Sequence, residues 1–299
     1  MEIKFSIIVP VYNTGKYLEG CIQALRELDY SKSQYEILMV DNNSTDDSSE
    51  ILARADGIQA FLETKQGSYA ARNHAVRVAR GEYLAFTDSD CMPMPNWLTT
   101  IEKNFQDPAR HIVMGPRLSE SKNRAVQLMA DFQSKKDEFV LCSNIPEVYY
   151  GFTNNLSVRK STMDRFGPFE ERPRGADTVF VQRVVSGLGC ESVYYDKQML
   201  VRHAELDSIM SYYNKMYAYG KSCQLYQELV RTRPLVASER LRALRTCIAE
   251  GKYSTLESVL FGGLLAGGVF AWNAGRLVGK KQGRKDLNKR LVKQGTPQG

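Results

Sequence analysis

The sequence lacks the cysteine and histidine spacings that are typical of structural metal sites and disulfide-rich domains. Its six cysteines are scattered over 299 residues, with no C-x-x-C pair and no histidine at metal-ligand spacing from them. We therefore expect reduced thiols that mostly pack inside a cytosolic protein. The N-terminus also lacks a basic segment and a small-residue cleavage site before its first apolar run, so no secretory signal is predicted.

The sequence has little excess charge outside its C-terminal end. The formal net charge is +6, and eight basic residues against Asp286 alone lie between Arg276 and Lys293. The remainder is close to neutral, which argues against a nucleic-acid-binding surface spread over the domain. A chain of 299 residues can bury a sizeable core. We expect one large α/β domain, alone or with an appendage.

An uninterrupted apolar run of the roughly 20 residues needed to span a bilayer is also missing. The most apolar stretch, 259–271, meets Asn273 and Arg276 before that length. Within it, Gly263 and Gly267 have the G-x-x-x-G spacing that favours close helix packing in a membrane or a protein interior. Three interpretations stay open: an interfacial or re-entrant membrane segment, a buried or dimerising hairpin, and a full span.

The most informative stretch is a short apolar strand that ends in two carboxylates. Residues 83–86 are all apolar and lie between Gly81 and Pro93, as expected for a parallel strand buried on both faces. Asp88 and Asp90 follow at spacing i, i+2, which points both side chains the same way in an extended chain. Because ligands of open α/β sheets lie beyond the carboxyl ends of the strands, the pair predicts a Mg²⁺ or Mn²⁺ site with a bound diphosphate. A surface turn is the alternative.

Apolar periodicity elsewhere alternates between strand and helix patterns. Strands are predicted at 5–12, 35–40, 58–62, 111–118, 149–158, 191–195 and 199–203. Helices are predicted at 16–28, 68–81, 96–105, 123–141, 178–188, 208–230 and 233–249. Pro10 has no N–H, so the first strand is expected to stop pairing there. The predicted fold class is α/β, with a mainly parallel sheet covered by helices on both faces over 1–206 and a helical appendage over 207–299.

A polar run follows the second predicted strand, which ends at Asp41. Ser44 or Thr45 as a helix N-cap explains most of this run. An EF-hand calcium loop is unlikely to form, because Asp46 and Leu52 occupy the positions that require Gly and Glu. Asp41 is left over, either as a ligand at the strand end or as the first residue of an Asx-turn.

Two further polar residues stand out from their surroundings. Arg72 lies in the first turns of the helix after Gly67, where free backbone N–H groups and a guanidinium could bind phosphate, although a solvated side chain is the common alternative. Asn155 follows Asn154 in a run otherwise suited to burial. Since an unpaired buried amide costs about 1 to 3 kcal/mol, its partners are either a ligand or other protein groups.

Taken in order, these motifs resemble the inverting, non-processive family 2 glycosyltransferases, whose nucleotide-sugar-binding fold is called GT-A. The resemblance runs from about Phe5 to His203. It is carried by Val-Asp-Asn-x-Ser-x-Asp at 40–46, Gly-Ser-x-Ala-Ala-Arg-Asn at 67–73, Asp-Ser-Asp at 88–90, Asn-x-x-x-Arg at 155–159, Gly-Pro-Phe-Glu-Glu at 167–171, and the histidine at 203.

The resemblance implies specific contacts to a nucleotide sugar and a metal ion. Asp41 would hydrogen-bond the base or ribose, and Arg72 would contact the diphosphate. Asp90, with Asp88 and His203, would hold Mn²⁺ or Mg²⁺. Further donor contacts are implied for Pro10, Val11, Tyr12, Asp88 and Asn155.

The resemblance also implies the catalytic base. An acidic pair opens a helix at this point in the family, and the second member of the pair is the base, which corresponds to Asp177. Ala176 replaces the first acidic residue. A plain N-cap for the helix at 178–188 is the structural alternative for Asp177, and Glu171 is the reserve candidate for the base.

These implications predict an inverting, metal-dependent glycosyltransferase that moves one sugar from a nucleotide sugar, with UDP-sugars favoured, to an acceptor hydroxyl. Trp97 and Trp272 are the only tryptophans, and neither lies in the Gln-x-x-Arg-Trp motif of processive synthases. A nucleotidyltransferase is a second reading, but residues 10–14 lack the Gly-rich loop that it requires. A non-catalytic membrane-associated scaffold is the third.

The C-terminal segment suggests where such an enzyme would act. An apolar run followed by basic residues, between Val259 and Lys293, suits contact with one membrane leaflet. We therefore expect a cytoplasmic protein at the inner face of the plasma membrane, with a lipid or lipid-linked glycan as acceptor. A homo-oligomer formed by the same segment is the alternative, and no nucleic-acid partner is expected.

Overall fold

A computed structural model describes residues 2–119, 121–204, 208–226, 229–251 and 253–294. For 224–226 and 282–294 it describes the backbone only. The predicted domain boundary at residue 206 lies outside the described residues.

Ten strands and ten α-helices are found in this part of the chain. The strands are β1 (Phe5–Val11), β2 (Tyr35–Asp41), β3 (Gln59–Leu62), β4 (Tyr83–Thr87), β5 (Cys91–Pro93), β6 (Ile112–Met114), β7 (Arg117–Leu118), β8 (Asn155–Arg159), β9 (Val193–Tyr195) and β10 (Val201–His203). The helices are α1 (Gly15–Arg26), α2 (Ser48–Arg54), α3 (Ser68–Val78), α4 (Trp97–Phe105), α5 (Arg124–Leu141), α6 (Lys160–Phe166), α7 (Ala176–Leu188), α8 (Ile209–Tyr226), α9 (Ala237–Gly251) and α10 (Thr255–Gln294).

The main sheet has the strand order β3-β2-β1-β4-β8-β6-β9. Only β8 runs against its neighbours, so the prediction of a mainly parallel α/β sheet is confirmed. Every residue of β1, β2 and β4 is buried, as their continuous apolar runs predict for strands covered on both faces.

Helices cover both faces of this sheet and form two separate cores. Alternate residues of β1 point in opposite directions, so that Ile7 packs in the core with α1 and α4, whereas Ile8 packs in the core with α3 and α7. The indole of Trp97 is fully buried in the first core. This two-sided packing holds the carboxyl ends of the central strands in fixed positions.

A second, small sheet of order β5-β10-β7 lies beside the main one. It divides the predicted strand at 111–118 into β6 and β7, which belong to different sheets. Between them, a Cβ at Gly115 would collide with the backbone of Met199, and Pro116 offers no N–H. The antiparallel pairing of β5 with β10 places His203 opposite Cys91.

Three local predictions need correction. Pairing of β1 stops at Ile8 on the β4 side, but it continues past Pro10 to Val11 on the β2 side. The first helix after β2 begins at Ser48, so neither Ser44 nor Thr45 is its N-cap. The strand predicted at 149–158 is shortened to β8.

The C-terminal region is helical as predicted, but α10 is one continuous helix and the hairpin interpretation is wrong. α10 packs parallel to α8 at very close range. A Cβ at Gly220, Gly275 or Gly279 would collide with the backbone of the other helix, whereas a Cβ at Gly263 would meet nothing within 4 Å. Gly263 thus makes no close contact within the described part of the chain, and glycines further along α10 provide the close approach to α8.

By length and composition, the part of α10 from Thr255 to Lys281 could cross a membrane. It has 27 residues, and a stretch of 18 residues within it has a mean hydropathy of 1.4. At about 1.5 Å per residue it is longer than a hydrocarbon core of about 30 Å. Asn273 and Arg276 therefore do not shorten this helix below the length needed to span a bilayer. Only 11% of its apolar part is buried in the structure.

Candidate active site

The candidate site lies where the carboxyl ends of β1, β2 and β4 meet. β1 and β2 are paired up to Val11 and Asp41, and β4 ends one residue before Asp88. Parallel neighbours end at the same edge of a sheet. The polar residues that follow these strands therefore lie along one edge, next to the small sheet that carries His203.

Arg72 and Asp88 form an ion pair inside this edge. The Arg72 side chain is 4% exposed, and its Nη2 donates to Asp88 Oδ1. Its Nη1 donates to the Ser68 carbonyl at 3.3 Å, whereas its buried Nε has no hydrogen-bond partner among the described residues. The interpretation of Arg72 as a solvated side chain is wrong. Asp88 forms its ion pair with Arg72 and does not belong to the group of side chains around Asp90.

Asp90 is instead grouped with His203 and Cys91. The Asp90 Oδ2 lies 3.7 Å from His203 Nε2, and the Cys91 thiol donates to Asp90 Oδ1 at 3.5 Å. Donor atoms of the three residues all lie within 4.8 Å of one another. Carboxylate and imidazole donors at this separation fit a divalent cation, with Asp90 and His203 as the ligands.

The electrostatics of His203 suit a metal ligand. Burial lowers the pKa of His203, the Asp90 carboxylate opposes this effect, and the charges of Lys215 and Arg117 add to the lowering. The imidazole is therefore mostly neutral at pH 7, which is the form that binds metals. Burial and the Asp88 and Asp90 carboxylates raise the pKa of the Cys91 thiol.

Asp177 lies in the first turn of α7. Gly175 is the N-cap, with φ of +83°, so the N-cap interpretation of Asp177 is wrong. Its Oδ1 accepts from the Thr178 N–H at 2.8 Å. Burial raises the pKa of Asp177, and the Thr178 N–H, the charge of Arg72 and a hydrogen bond from Tyr69 oppose the rise. A half-buried carboxylate with a raised pKa beside a cation is suited to accept a proton.

Glu171, the reserve candidate, has a different environment. It forms an ion pair with Lys65, and Asn73 Nδ2 donates to its Oε1 at 3.4 Å. The hydrogen bond from Lys65 lowers the pKa of Glu171, with Asn73 contributing in the same direction. A paired carboxylate with a lowered pKa is a weaker proton acceptor than Asp177.

Asp41 is bonded within its own loop. Its Oδ1 accepts from the N–H and hydroxyl of Ser44 at 3.1 and 2.5 Å, and its Oδ2 accepts from the Ser49 hydroxyl at 2.7 Å. The N–H is three residues on rather than the two of an Asx-turn, but the bonds hold the carboxylate within its own loop as that alternative expected. A carboxylate has about four acceptor positions, so one remains for a ligand.

Asn155 is not available to a ligand, which corrects the prediction that it contacts the donor. It is fully buried, and its Oδ1 accepts from the Trp97 indole at 2.9 Å. Its Nδ2 donates to the carbonyls of Pro116 and Met199 at 2.9 and 2.7 Å. The amide thus joins β8, α4 and the small sheet.

The three residues predicted to contact the donor at the end of β1 differ in their exposure. Pro10 and Val11 are buried within the main sheet, and their contact with the donor stays a prediction. Tyr12 follows them and is 51% exposed. Of the three predicted residues, Tyr12 alone presents its side chain at this edge.

Several site residues were missed in the sequence. Tyr69 is buried and hydrogen-bonded to Asp177, and Cys91 joins the group around Asp90. Gly151 allows the first turn of α7 to approach, because a Cβ there would lie 2.6 Å from the Asp177 carbonyl oxygen. The only sequence signal for this contact was a glycine inside an otherwise strand-like run.

The chain was compared with known families and curated proteins. The family model described as Glycosyl transferase family 2 matches residues 6–170, more than half of the chain. Glycosyltransferase AglE of Haloferax volcanii is 32% identical over 169 residues, 55% of each chain. Glycosyltransferase GlyG of Streptococcus pneumoniae is 35% identical over 120 residues, 38% of this chain and 39% of that protein. The chain thus spans about half or less of the length of these relatives.

Solved structures with a similar fold cover almost the whole chain. Residues 1–349 of TarS from S. aureus match with a TM-score of 0.55 and 18% identity, over 91% of this chain and 81% of that one. A mannosyltransferase from Pyrobaculum calidifontis, in complex with GDP-Man and Mn²⁺, matches with a TM-score of 0.58 and 17% identity, over 94% and 85%. At such identities the likeness concerns the fold. The chain belongs to glycosyl transferase family 2 and has the GT-A fold.

Proposed function

We propose that this protein is a metal-dependent, inverting glycosyltransferase that moves one sugar from a nucleotide sugar to an acceptor hydroxyl. The observation that carries the proposal is the buried ion pair of Arg72 with Asp88, whose cation also acts electrostatically on a second carboxylate. Arg72 is paired with Asp88 at the end of β4, and its charge acts on Asp177 at the start of α7. The predicted diphosphate site and the predicted base are thus neighbours.

Asp177 is the base in this proposal. Its carboxylate takes the proton of the acceptor hydroxyl as that oxygen forms a bond to the anomeric carbon. The bond from the anomeric carbon to the diphosphate oxygen breaks on the opposite face, so an α-linked donor gives a β-linked product. Arg72 places a buried positive charge next to the leaving diphosphate, and its unpaired Nε offers one N–H to it.

Asp90 and His203 would hold the cofactor, Mn²⁺ or Mg²⁺, and Asp88 remains a proposed contact in spite of its ion pair. When bound, the ion neutralises charge on the leaving diphosphate. The fit rests on the 3.7 Å separation of their donor atoms and on the neutral state of the imidazole.

The nucleotide would lie at the ends of β1 and β2. Tyr12 offers an exposed ring on which a base could stack, and Asp41 has one free acceptor position for the base or ribose. A UDP-sugar is the proposed donor. Solved neighbours include TarS with UDP-GlcNAc, although the mannosyltransferase neighbour carries GDP-Man, so both bases belong in the test.

We also propose that the catalytic domain occupies 1–206 and that the helical region at 207–299 docks it on a membrane. The outer face of α10, defined by Leu256, Val259, Phe270 and Leu277, is 61 to 79% exposed. These residues recur at helical spacing, and the exposed basic residues Arg276, Lys280 and Lys281 follow them.

α8 lies between the candidate site and α10. Lys215 on α8 is near enough to His203 for its charge to lower the pKa of that imidazole. The opposite side of α8 packs on α10 through Gly220. Packed helices are about 8 to 10 Å apart, so a membrane at the outer face would be separated from the proposed metal ligands by two helix layers, α10 and α8.

Docking on a membrane favours a lipid or lipid-linked glycan as the acceptor, because it confines the enzyme to that surface. It also favours a cytoplasmic location at the inner face of the plasma membrane, where anionic lipids would attract the basic residues. A homo-oligomer that buries the same apolar face is the competing arrangement. We expect no nucleic-acid partner.

The decisive experiment is a screen of UDP-, GDP- and dTDP-sugars for hydrolysis by the full chain with and without Mn²⁺. Metal-dependent release of one nucleoside diphosphate is the expected result. Release of pyrophosphate from a nucleoside triphosphate and a sugar phosphate would instead identify a nucleotidyltransferase. Nucleotide binding without turnover under all conditions would favour the non-catalytic scaffold.

A further inference from the structure

The group around Asp90 contains a thiol that a site for Mg²⁺ or Mn²⁺ does not need. Cys91 is the next residue in the chain, and its Sγ lies 3.5 Å from Asp90 Oδ1. The β5–β10 pairing places it opposite His203, so that one donor atom from each of the three residues lies within 4.8 Å of the others. The position of the Cys91 thiol is therefore fixed by the strand pairing with β10 as well as by its place next to Asp90 in the sequence.

A carboxylate, an imidazole and a thiolate form a donor set for softer metals. Mg²⁺ and Mn²⁺ prefer hard oxygen ligands, whereas sulfur and nitrogen ligands select Zn²⁺. Tetrahedral Zn²⁺ with ordinary bond lengths has neighbouring ligand atoms about 3.3 to 3.5 Å apart. The sulfur lies 3.5 Å from one Asp90 oxygen and Nε2 lies 3.7 Å from the other, and one donor atom from each residue lies within 4.8 Å of the others, so small side-chain movements would bring the three groups to these separations.

We propose that Asp90, Cys91 and His203 form a zinc site that competes with the divalent cofactor and inhibits the enzyme. A Zn–S bond forms as the thiol proton leaves to solvent, and no oxidation or reduction takes place. The ion then holds the same carboxylate and imidazole that Mn²⁺ or Mg²⁺ would use. Inhibition rests on the proposed function, whereas zinc binding does not.

The other cysteines provide matched controls. Cys142 is exposed and Cys190 is partly buried, and neither belongs to a group of three or more metal-binding side chains in the described part of the chain. Cys142→Ser therefore removes an accessible thiol without changing the proposed zinc site.

The test uses the full chain with Cd²⁺ as an optical probe and Zn²⁺ in calorimetry. We expect an ultraviolet cadmium–thiolate absorption in wild type and Cys142→Ser that is reduced in Cys91→Ser. Zn²⁺ affinity should fall by about tenfold or more in Cys91→Ser, since even partners outside the ligand set contribute 10- to 100-fold. Cys91→Ala serves the same purpose if the serine variant does not fold.

Where turnover is measurable, Zn²⁺ should inhibit wild type at fixed Mn²⁺, and excess Mn²⁺ should relieve the inhibition. The proposal is overturned if the Cys91 variants keep both the Cd²⁺ absorption and the wild-type Zn²⁺ affinity. It is also overturned if bound Zn²⁺ leaves turnover unchanged. Absence of turnover with every donor would count against the glycosyltransferase assignment, and the binding measurements would still decide the zinc site.

Discussion

The positive charge of Arg72 lowers the pKa of Asp177, against the burial that raises it. The residue that we place next to the leaving diphosphate thus also affects the protonation of the residue that we place next to the acceptor. We therefore expect Arg72→Gln to move the acidic limb of the pH dependence of kcat to higher pH, because an uncompensated Asp177 is protonated more readily. Arg72→Lys keeps the charge and should leave this limb near its wild-type position. If the acidic limb of Arg72→Gln stays at its wild-type position, the charge of Arg72 does not influence the protonation of Asp177.

Asp177→Asn should lower kcat by about 10² or more with little change in donor binding. The amide still accepts from the Thr178 N–H but cannot take a proton. Glu171→Gln is the control, and normal activity in Asp177→Asn with loss in Glu171→Gln would transfer the role of base to Glu171.

The stability of Asp177→Asn also tests whether the pKa of Asp177 is raised. Because the folded-state pKa of Asp177 is raised, its stability contribution is present below the ordinary carboxyl value and is lost as pH rises through the raised value. Asp177→Asn should be at least as stable as wild type at about pH 7 and lose that advantage at about pH 4. Urea unfolding at both pH values measures this, and a less stable variant at neutral pH would argue against the raised pKa.

Asp90→Ala should abolish turnover and weaken nucleotide binding in Mn²⁺ while the fold persists. The reason is loss of a ligand whose partner, His203, remains. Calorimetry with UDP in the presence of Mn²⁺ and of chelator measures the effect, and Asp56→Ala, at an exposed position, is the control. Full activity in excess chelator would remove the metal from the mechanism.

Asp41→Ala should raise the donor KM more than it lowers kcat, as expected for a contact made equally in ground and transition states. The loop bonds of Asp41 complicate this variant, so Ser44→Ala and Ser49→Ala are needed beside it, because they remove the two hydroxyl bonds and keep the carboxylate. If all three variants lose the same amount of UDP affinity, the role of Asp41 is purely structural.

Glutamine in place of Val259 and Phe270 should release the full chain from anionic liposomes. Each of these side chains is at least 70% exposed, so the fold should tolerate the change. Wild type should sediment with the liposomes and be partly released by high salt, since each basic residue near the surface contributes about 1 kcal/mol. If wild type does not bind liposomes but forms a dimer, and the double variant does not form that dimer, the homo-oligomer is the correct arrangement.

The sequence was sufficient where a property depends on neighbours along the chain. The apolar runs of β1, β2 and β4 specify two-sided burial, and the spacing of the apolar residues of α5 specifies a helix. It was insufficient for Asn155, whose partners Trp97, Pro116 and Met199 come from three distant segments. Spacing can show that such an amide needs partners, but only the packed strands show that the protein supplies them.

The same limit applies to the candidate site. The spacing of Asp88 and Asp90 suggested one shared ligand, yet the first is bonded to Arg72 and the second is grouped with His203. These partners are brought in by α3 and by the small sheet, whose register no local pattern specifies. Cys91 was overlooked for this reason, because its partner across the strands is 112 positions further along the chain.

The glycines at 220, 275 and 279 let the backbones of α8 and α10 meet without intervening side chains. At this range the two helices leave little room to slide past each other. Lys215 lies on the side of α8 away from α10, and its charge acts on His203. If α10 docks on a membrane as we propose, a displacement of α10 would carry α8 and Lys215 with it, and would so change the electrostatic environment of His203, the proposed metal ligand.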